Sequence, residues 1–396
     1  GFGAVSGNYQ VTYAPGTYTI VPAGNLLVRA TATTTYGTAP TYQYTAQYLD
    51  ANNNVLSYIG DLASNPHTSV NAINLTASGA ATSFNAAVTL NDGISNINMA
   101  YGPIGTTLSG SGNINAGQYN LDKSTFTPTG NFLGLTVVGQ LTVNPKQITA
   151  PTLTANSISK VYDGNAVISG IDTSSASNQL IAGDAAAILA SGIYSDKNVA
   201  LGKSVTVNFG LDGDDAANYV LSATQVTGNY GQITQLASVT YVGPSGGNWS
   251  TASNWAGGAI PDYANVANVI IPVNTTVNFD NSVGGPMTSA IQNNGLLNIN
   301  LNANTTLANT LTGTGVLEIS NVGTITLTGN NSYAGGTILN AGASLVAGSN
   351  SAIGTGGITS NGTANNPASF ATGNGVVLPS LSIAGGTTKL MSSITT

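Results

Sequence analysis

The chain has 396 residues, a net charge of −7 and only 5% charged side chains, against roughly 25% in an ordinary soluble protein. One arginine (Arg29) and a few scattered lysines give almost nothing to neutralise phosphates, which excludes a nucleic-acid binder and disfavours an anionic membrane partner. Cysteine is absent and no apolar run is long enough to span a bilayer, which rules out disulfides, thiolate metal sites and a spanning helix.

The surface must therefore be covered by Thr, Ser, Asn, Gln and Gly. The 50 glycines favour turns and strands, while 41% apolar residues and 17 tyrosines argue for a folded chain. The expectation is an all-β protein. It comprises tandem small β-sandwich or grasp-like modules followed by the start of a right-handed parallel β-helix.

Residues 1–23 contain "GNYQVTYAPGTYTIVPA" from Gly7 and read as the tail of a preceding module. The chain opens inside this pattern, so it reads as a piece of a longer polypeptide. Residues 24–146 read as one complete β-domain. "NLLVRATATTTYGTAP" from Asn25 runs an alternating strand into a corner at Tyr36-Gly37-Thr38. "GQYNLDKSTF" from Gly117 opens a second alternating pair, a hairpin signature.

Residues 147–238 repeat the plan. "QITAPTLTANSISKVYDGNAV" from Gln147 leads into a corner at Tyr162-Asp163-Gly164, the counterpart of Tyr36-Gly37. Each tyrosine is expected to pack across the sheets while the glycine supplies the turn conformation. "ANYVLSATQVTGNYGQITQLA" from Ala217 predicts another closing hairpin. Tyr9, Tyr119 and Tyr219 recur about 100–110 residues apart, the size of a small domain. A short helix is predicted at 184–190, with Asp184 capping "AAAILA".

Residues 239–284 read as a linker, "YVGPSGG" at 241–247, and a cap holding both tryptophans, Trp249 and Trp255. From 285 to 396 the strands become short and regular, with Leu317 and Ile319, then Ile325 and Leu327, on alternating positions. Glycine and asparagine punctuate them. This pattern predicts a β-solenoid of about five coils of roughly 20–25 residues, stacked at ~4.8 Å per coil.

These residues carry a resemblance. "KVYDGNA" with "SDKNVALGKSVTVNFGLDGDDAANYVLS" closely resembles the YDG domain of large bacterial haemagglutinin-like exoproteins. The 24–146 module is similar to the MBG domains found in tandem with it. "LTGNNSYAGGTILNAGASLVAGSNSAIGTGG" from Leu327 resembles the autotransporter-associated β-strand repeat, and "GNWSTASNWAGGAIPDYANVANVIIP" resembles its lead-in. The resemblance implies a secreted or cell-surface adhesin and brings no catalytic residues.

The candidate chemistry is thin. His67 with Asp61 and Ser69 lacks any nucleophile-elbow pattern and reads as a loop histidine. Asp212, Asp214 and Asp215, with Asn218, are either Ca²⁺ ligands or a solvated turn. Trp249 and Trp255 are either a glycan-stacking platform or a cap on the first coil. Lys160, Lys197 and Lys203 invite an isopeptide bond to asparagine beside a buried acid. Thr324, Thr326 and Thr328 form either a water-ordering row or an ordinary strand exterior.

No cofactor and no enzymatic activity are expected. The expected role is a non-enzymatic extracellular structural and adhesive protein, a fragment of a giant bacterial surface adhesin whose modules act as stalk or fibre. The alternative is a self-assembling subunit of an extracellular filament or biofilm matrix. Expected partners are other copies, neighbouring modules, or cell-surface glycans or proteins, with no nucleic acid and no membrane insertion. Sparse charge further predicts a fold insensitive to salt and pH. Thermal melts at low salt and about 1 M NaCl should differ by less than about 3 °C; a larger shift would contradict charge-independent folding.

Overall fold

The computed structural model describes residues 23–49, 75–77, 86–91, 96–127, 132–280, 289–320 and 323–391. Calls on Tyr9, Asp61, His67 and Ser69 lie outside the described residues. The chain is all-β, and its one α-helix among the described residues has four residues. No helix among the described residues is long and apolar enough to cross a membrane.

The first module begins with β1 (Ala23–Thr35) and β2 (Gln43–Leu49). It continues through β3 (Leu75–Ala77), β4 (Ala86–Asn91) and β5 (Asn96–Pro103), then β6 (Gly117–Phe126) and β7 (Phe132–Asn144). Period-two alternation makes β1 a strand. Val28, Ala30, Ala32 and Thr34 are buried, while Arg29, Thr31, Thr33 and Thr35 are exposed. The sheet order is β2-β1-β7-β6-β5-β4-β3. The first and last strands lie side by side in parallel, Val28 opposite Val137 and Ala32 opposite Leu141. The 117–144 hairpin forms, with Gly117 opposite Val143.

One residue, Pro145, separates β7 from β8 (Lys146–Ile148). The second module continues with β9 (Ile158–Val161), β10 (Val167–Ile168), α1 (Ser174–Ser177), β11 (Ala187–Tyr194) and β12 (Ala200–Asp212). It closes with β13 (Tyr219–Leu221) and β14 (Gln225–Thr234). Its five-stranded sheet runs β10-β11-β12-β14-β9, and its first and last strands, β9 and β14, are again parallel neighbours.

Two expectations fail here. The helix predicted at 184–190 is absent, because 187–194 is strand β11. Ile188 and Tyr194 point inward and Leu189 and Ile193 outward, a period of two that the alanine-rich spelling hides. The hairpin predicted from Ala217 is also absent. Its first strand, β13, pairs in parallel with β8, Tyr219 opposite Lys146, rather than with β14.

Compact packing divides the described chain into two units. The first gathers residues up to Ala150 with Thr173–Leu189 and Gly210–Ser222; the second gathers Pro151–Asp172, Ala190–Phe209 and the residues from Ala223 onward. The core of the first unit includes Tyr36, Tyr101, Leu141, Val143, Ile148, Ala176 and Tyr219.

In the second unit, Gln235 alone separates β14 from β15 (Leu236–Thr240). β15 already belongs to the solenoid ladder. It pairs in parallel with β17 (Val266–Ile271), while β16 (Gly247–Asn248) pairs in parallel with β18 (Thr276–Phe279). The Pro244–Gly247 stretch, which reads as a linker, is a turn inside this first coil, with Gly247 N–H donating to Pro244 O.

Thereafter each strand pairs in parallel with the strand one coil on. Leu297 stands opposite Leu317, Leu317 opposite Thr337, and Thr337 opposite Ile358. All four are buried in one interior column. Ile325, Leu345 and Phe370 form another.

Polar columns complete the coils. Asn309 Nδ2 donates to Ser289 O at 2.7 Å, Leu311 N–H donates to Asn331 Oδ1 at 2.8 Å, and Asn331 Nδ2 donates to Ala352 O at 2.6 Å. Asn309 and Asn331 are buried. Each satisfies a backbone group at a corner or at the start of a short strand that the ladder leaves free on that side. Asn331→Ala should therefore destabilise the chain by about 1–3 kcal/mol by orphaning a buried donor and acceptor. The exposed Asn300→Ala should change stability by less than about 0.5 kcal/mol. Denaturant midpoints followed by circular dichroism distinguish the two.

Candidate functional site: two tyrosine corners

The groups with the most unusual environments are not on an open cleft. They lie where strand ends meet loops far along the chain. At the end of β1, Tyr36 N–H donates to Asn144 O at 2.8 Å, which turns the ring inward, only 1% exposed. Its hydroxyl lies 2.6 Å from Asp184 Oδ2 and 2.6 Å from Ser109 Oγ. Tyr219 packs edge-on against it, ring centroids 5.4 Å apart, and its hydroxyl donates to the same Asp184 oxygen. Ser111 N–H donates to Asp184 Oδ1 at 3.0 Å.

Burial pushes the Asp184 carboxyl up. Hydrogen bonds from Ser111, Tyr219, Tyr36 and Ser109 outweigh that and hold it at about 2. Burial, reinforced by the Asp184 charge, raises both Tyr36 and Tyr219 above the ordinary phenol value.

The second corner follows β9. Tyr162 N–H donates to Thr234 O at 2.9 Å, and the ring is buried. Its hydroxyl donates to Ile260 O at 2.8 Å and lies 3.1 Å from Asp262 Oδ1. Lys197 Nζ pairs with Asp262 Oδ2, donates to the Tyr162 hydroxyl at 3.0 Å, and sits 5.3 Å from the ring centroid. Asn265 Nδ2 donates to Asp262 Oδ1 at 2.7 Å, and Val199 N–H donates to Asn265 Oδ1 at 2.8 Å. Burial lowers Lys197, but Asp262 and Tyr162 more than reverse it, so its pKa is raised.

A model of the YDG domain family matches residues 144–227, spanning β8 to the start of β14. The chain contains a YDG domain. No curated protein and no solved structure matches the chain.

The three residues of the YDG motif divide the work. Tyr162 is the buried member. Asp163 stays outside and pairs with Lys160 at 2.7 Å. Lys160 Nζ also donates to Asn165 O, Asn165 Oδ1 and Val167 O at 2.8–3.0 Å, which staples the turn. Gly164 takes φ +83°, a left-handed conformation that side chains resist. At the first corner, Gly37 has φ +79°.

Asp212, Asp214 and Asp215 do not form a calcium site. Asp212 and Asp214 are exposed, whereas Asp215 is buried and spends Oδ2 on Gly110 N–H (3.0 Å) and Ala185 N–H (2.7 Å). Among the described residues no group of three His, Cys, Asp or Glu is placed to hold a metal ion. Asn218 likewise accepts from Ala116 N–H at 2.7 Å. Asp215 and Asn218 therefore hold the 109–116 loop, while Asp212 and Asp214 stay at the surface.

Trp249 and Trp255 are fully buried, so neither offers a face to a sugar. Their rings meet at 4.7 Å, with Phe279 and Tyr241 on either side. Trp249 Nε1 donates to Pro261 O and Trp255 Nε1 to Trp249 O, so both polar edges are satisfied inside the first coil. Gly247 pairs with Val277, thirty residues on, whereas Leu297 pairs with Leu317, twenty on; the longer coil accommodates the two indoles.

Of the three lysines, Lys160 faces Asn165, but the adjacent acid, Asp163, is exposed, and Lys203 pairs with Asp196 at 2.7 Å. Thr326 stacks on Val346 and then Ala371, so the threonine row does not continue up the solenoid.

Sequence reading missed Asp262, Asn265, Ser109 and Ser111, and assigned Asp184 to a helix cap. The available signal was scarcity: in a chain with 14 acids, an isolated one beside an apolar run is a candidate structural partner.

Asp184 runs against the expectation of pH insensitivity at the acid end. Its folded value lies below the ordinary 3.8, so the contact stabilises the fold fully above about pH 4 and is lost as pH falls through about 2. Linkage allows about 2 kcal/mol, and the half-buried position reduces this to on the order of 1 kcal/mol. Asp184→Asn should lower the denaturant midpoint at pH 6 and leave it nearly unchanged at pH 2. An equal deficit at both would exclude this ionisation as the cause.

Proposed function

We propose that the chain is a non-enzymatic structural segment of a large extracellular bacterial surface protein, of the haemagglutinin-like or autotransporter type, in which tandem β-modules form a stalk. The observation that carries this reading is strand continuity. β7 passes to β8 across Pro145, and β14 passes to β15 across Gln235, so each module's last strand runs on into the next ladder. Within each module the first and last strands of the sheet, β1 with β7 and β9 with β14, are parallel neighbours, so tension drawn between them loads a row of backbone hydrogen bonds together.

The charged groups support the same reading. Lys160, Lys197 and Lys203, with Asp184, Asp215 and Asp262, are committed to contacts that hold loops and corners. Catalysis wants such groups poised toward a substrate. Secretion, the MBG-like character of the first module and the autotransporter-type repeat belong to this proposal, as do partners among copies of the chain, neighbouring modules or surface glycans.

A second reading, a filament subunit, draws on one feature: among the described residues, β2 is a seven-residue strand at the edge of its sheet, and open edges are templates for pairing. Negative-stain electron microscopy at modest concentration separates the two. Separate particles support the stalk. Ordered filaments with an axial repeat would replace it with the subunit reading.

A further inference from the structure

We propose that the Tyr-Gly corner is a docking plug for the domain that follows it in the chain, and that its socket is defined by chemistry rather than by fold. The socket is a carboxylate that faces the tyrosine hydroxyl, beside atoms packed against the bare α-carbon of the glycine.

Two corners carry the inference independently. Tyr36 ends the first strand of its module and reaches Asp184 on the loop before β11. Tyr162 follows β9, the first strand in chain order of the YDG domain's five-stranded sheet, and reaches Asp262 in the first solenoid coil. In both, the tyrosine N–H is held by the last residue of the module's closing strand, Asn144 or Thr234. In both, the glycine permits close approach: a Cβ on Gly37 would fall 2.4 Å from Ile181 Cδ1, and one on Gly164 would fall 2.4 Å from Gly258 O. The plugs are alike, whereas the sockets stand on unrelated structures, a module with a five-stranded sheet and a coiled ladder. A shared fold cannot explain the recurrence of the carboxylate; the need to satisfy a buried phenol can.

The YDG domain therefore carries one of each. Asp184, extended by Asp215 and Asn218, receives the domain before, and Tyr162 engages the domain after. Plug and socket on one domain make a head-to-tail connector, the contact that builds open tandem arrays. The partner that fits the Asp184 socket is another β-module whose first strand ends in tyrosine followed closely by glycine. The partner that fits the Tyr162 plug is any domain offering a carboxylate at that corner.

Hydrogen exchange on the full chain tests this. Tyr162→Phe removes only the hydroxyl and should speed amide exchange at 260–271, in the receiving coil, by about five- to tenfold. It should leave 181–186 unchanged. Tyr36→Phe should do the reverse. Double-mutant cycles on the melting midpoint add a second reading. Tyr36 with Asp184→Asn and Tyr162 with Asp262→Asn should be non-additive, and Tyr36 with Asp262→Asn additive. Faster exchange confined to β1 or β9, or additivity within the matched pairs, would make each tyrosine a core residue of its own module and overturn the proposal. If Asp262→Asn does not fold, the exchange pattern of Tyr162→Phe decides alone.

Discussion

A tyrosine ring buried at the end of a strand brings its hydroxyl with it, and that hydroxyl must find a partner away from water. The corners of this protein are organised by that requirement. Tyr36 and Tyr162 are each held from behind by a backbone hydrogen bond to the module's closing strand. Their hydroxyls therefore face forward, into chain that lies about 100–150 residues further along. Each corner is complete only when that later segment is folded. Sequence continuity and spatial contact then reinforce each other, because the closing strand is followed one residue later by a strand of the next ladder.

The solenoid meets the same constraint with a different side chain. Parallel strands satisfy their own backbones, but the corners between them leave N–H and C=O groups facing inward. Charged residues would be costly there. Asparagine supplies both a donor and an acceptor without charge. Asn309 and Asn331 bond to the backbone of adjacent coils in this way. Further out, Asn298 donates to Asn278 and Asn361 to Asn340, one coil apart. An asparagine-rich, charge-poor composition is thus a consequence of stacking corners, not only a description of the surface.

Much of this was legible in the sequence, and the parts that were not share a cause. Strict alternation exposed the solenoid strands, because a period of two with inward leucine and isoleucine has few other readings. The Tyr-Gly corners were visible as a repeated turn after an alternating run. The alanine-rich stretch at 185–190 was misread because helix propensity is a local property, whereas β11 is fixed by the strands on either side of it. The acids of "LDGDDAANY" were misread for a similar reason. Asp215 looks like a metal ligand until Gly110, 105 residues earlier, occupies it. What no local pattern contains is the identity of a distant partner.

Charge scarcity gives that distant pairing its selectivity. Where a quarter of the surface is ionic, a lone carboxylate at a corner has many rival partners. Here the same carboxylate stands against hydroxyls, amides and glycines. Asp184 gathers two phenols and a backbone amide, and Asp262 gathers a phenol, an ammonium and an asparagine. Uncharged surroundings offer these groups no competing ion pairs, and low local polarity strengthens each bond they make. A surface of threonine and asparagine can therefore coexist with corners held by single ionised residues. The ladders carry one domain's last strand into the next, and the corner contacts between a domain and later chain are made by the few charges the protein keeps.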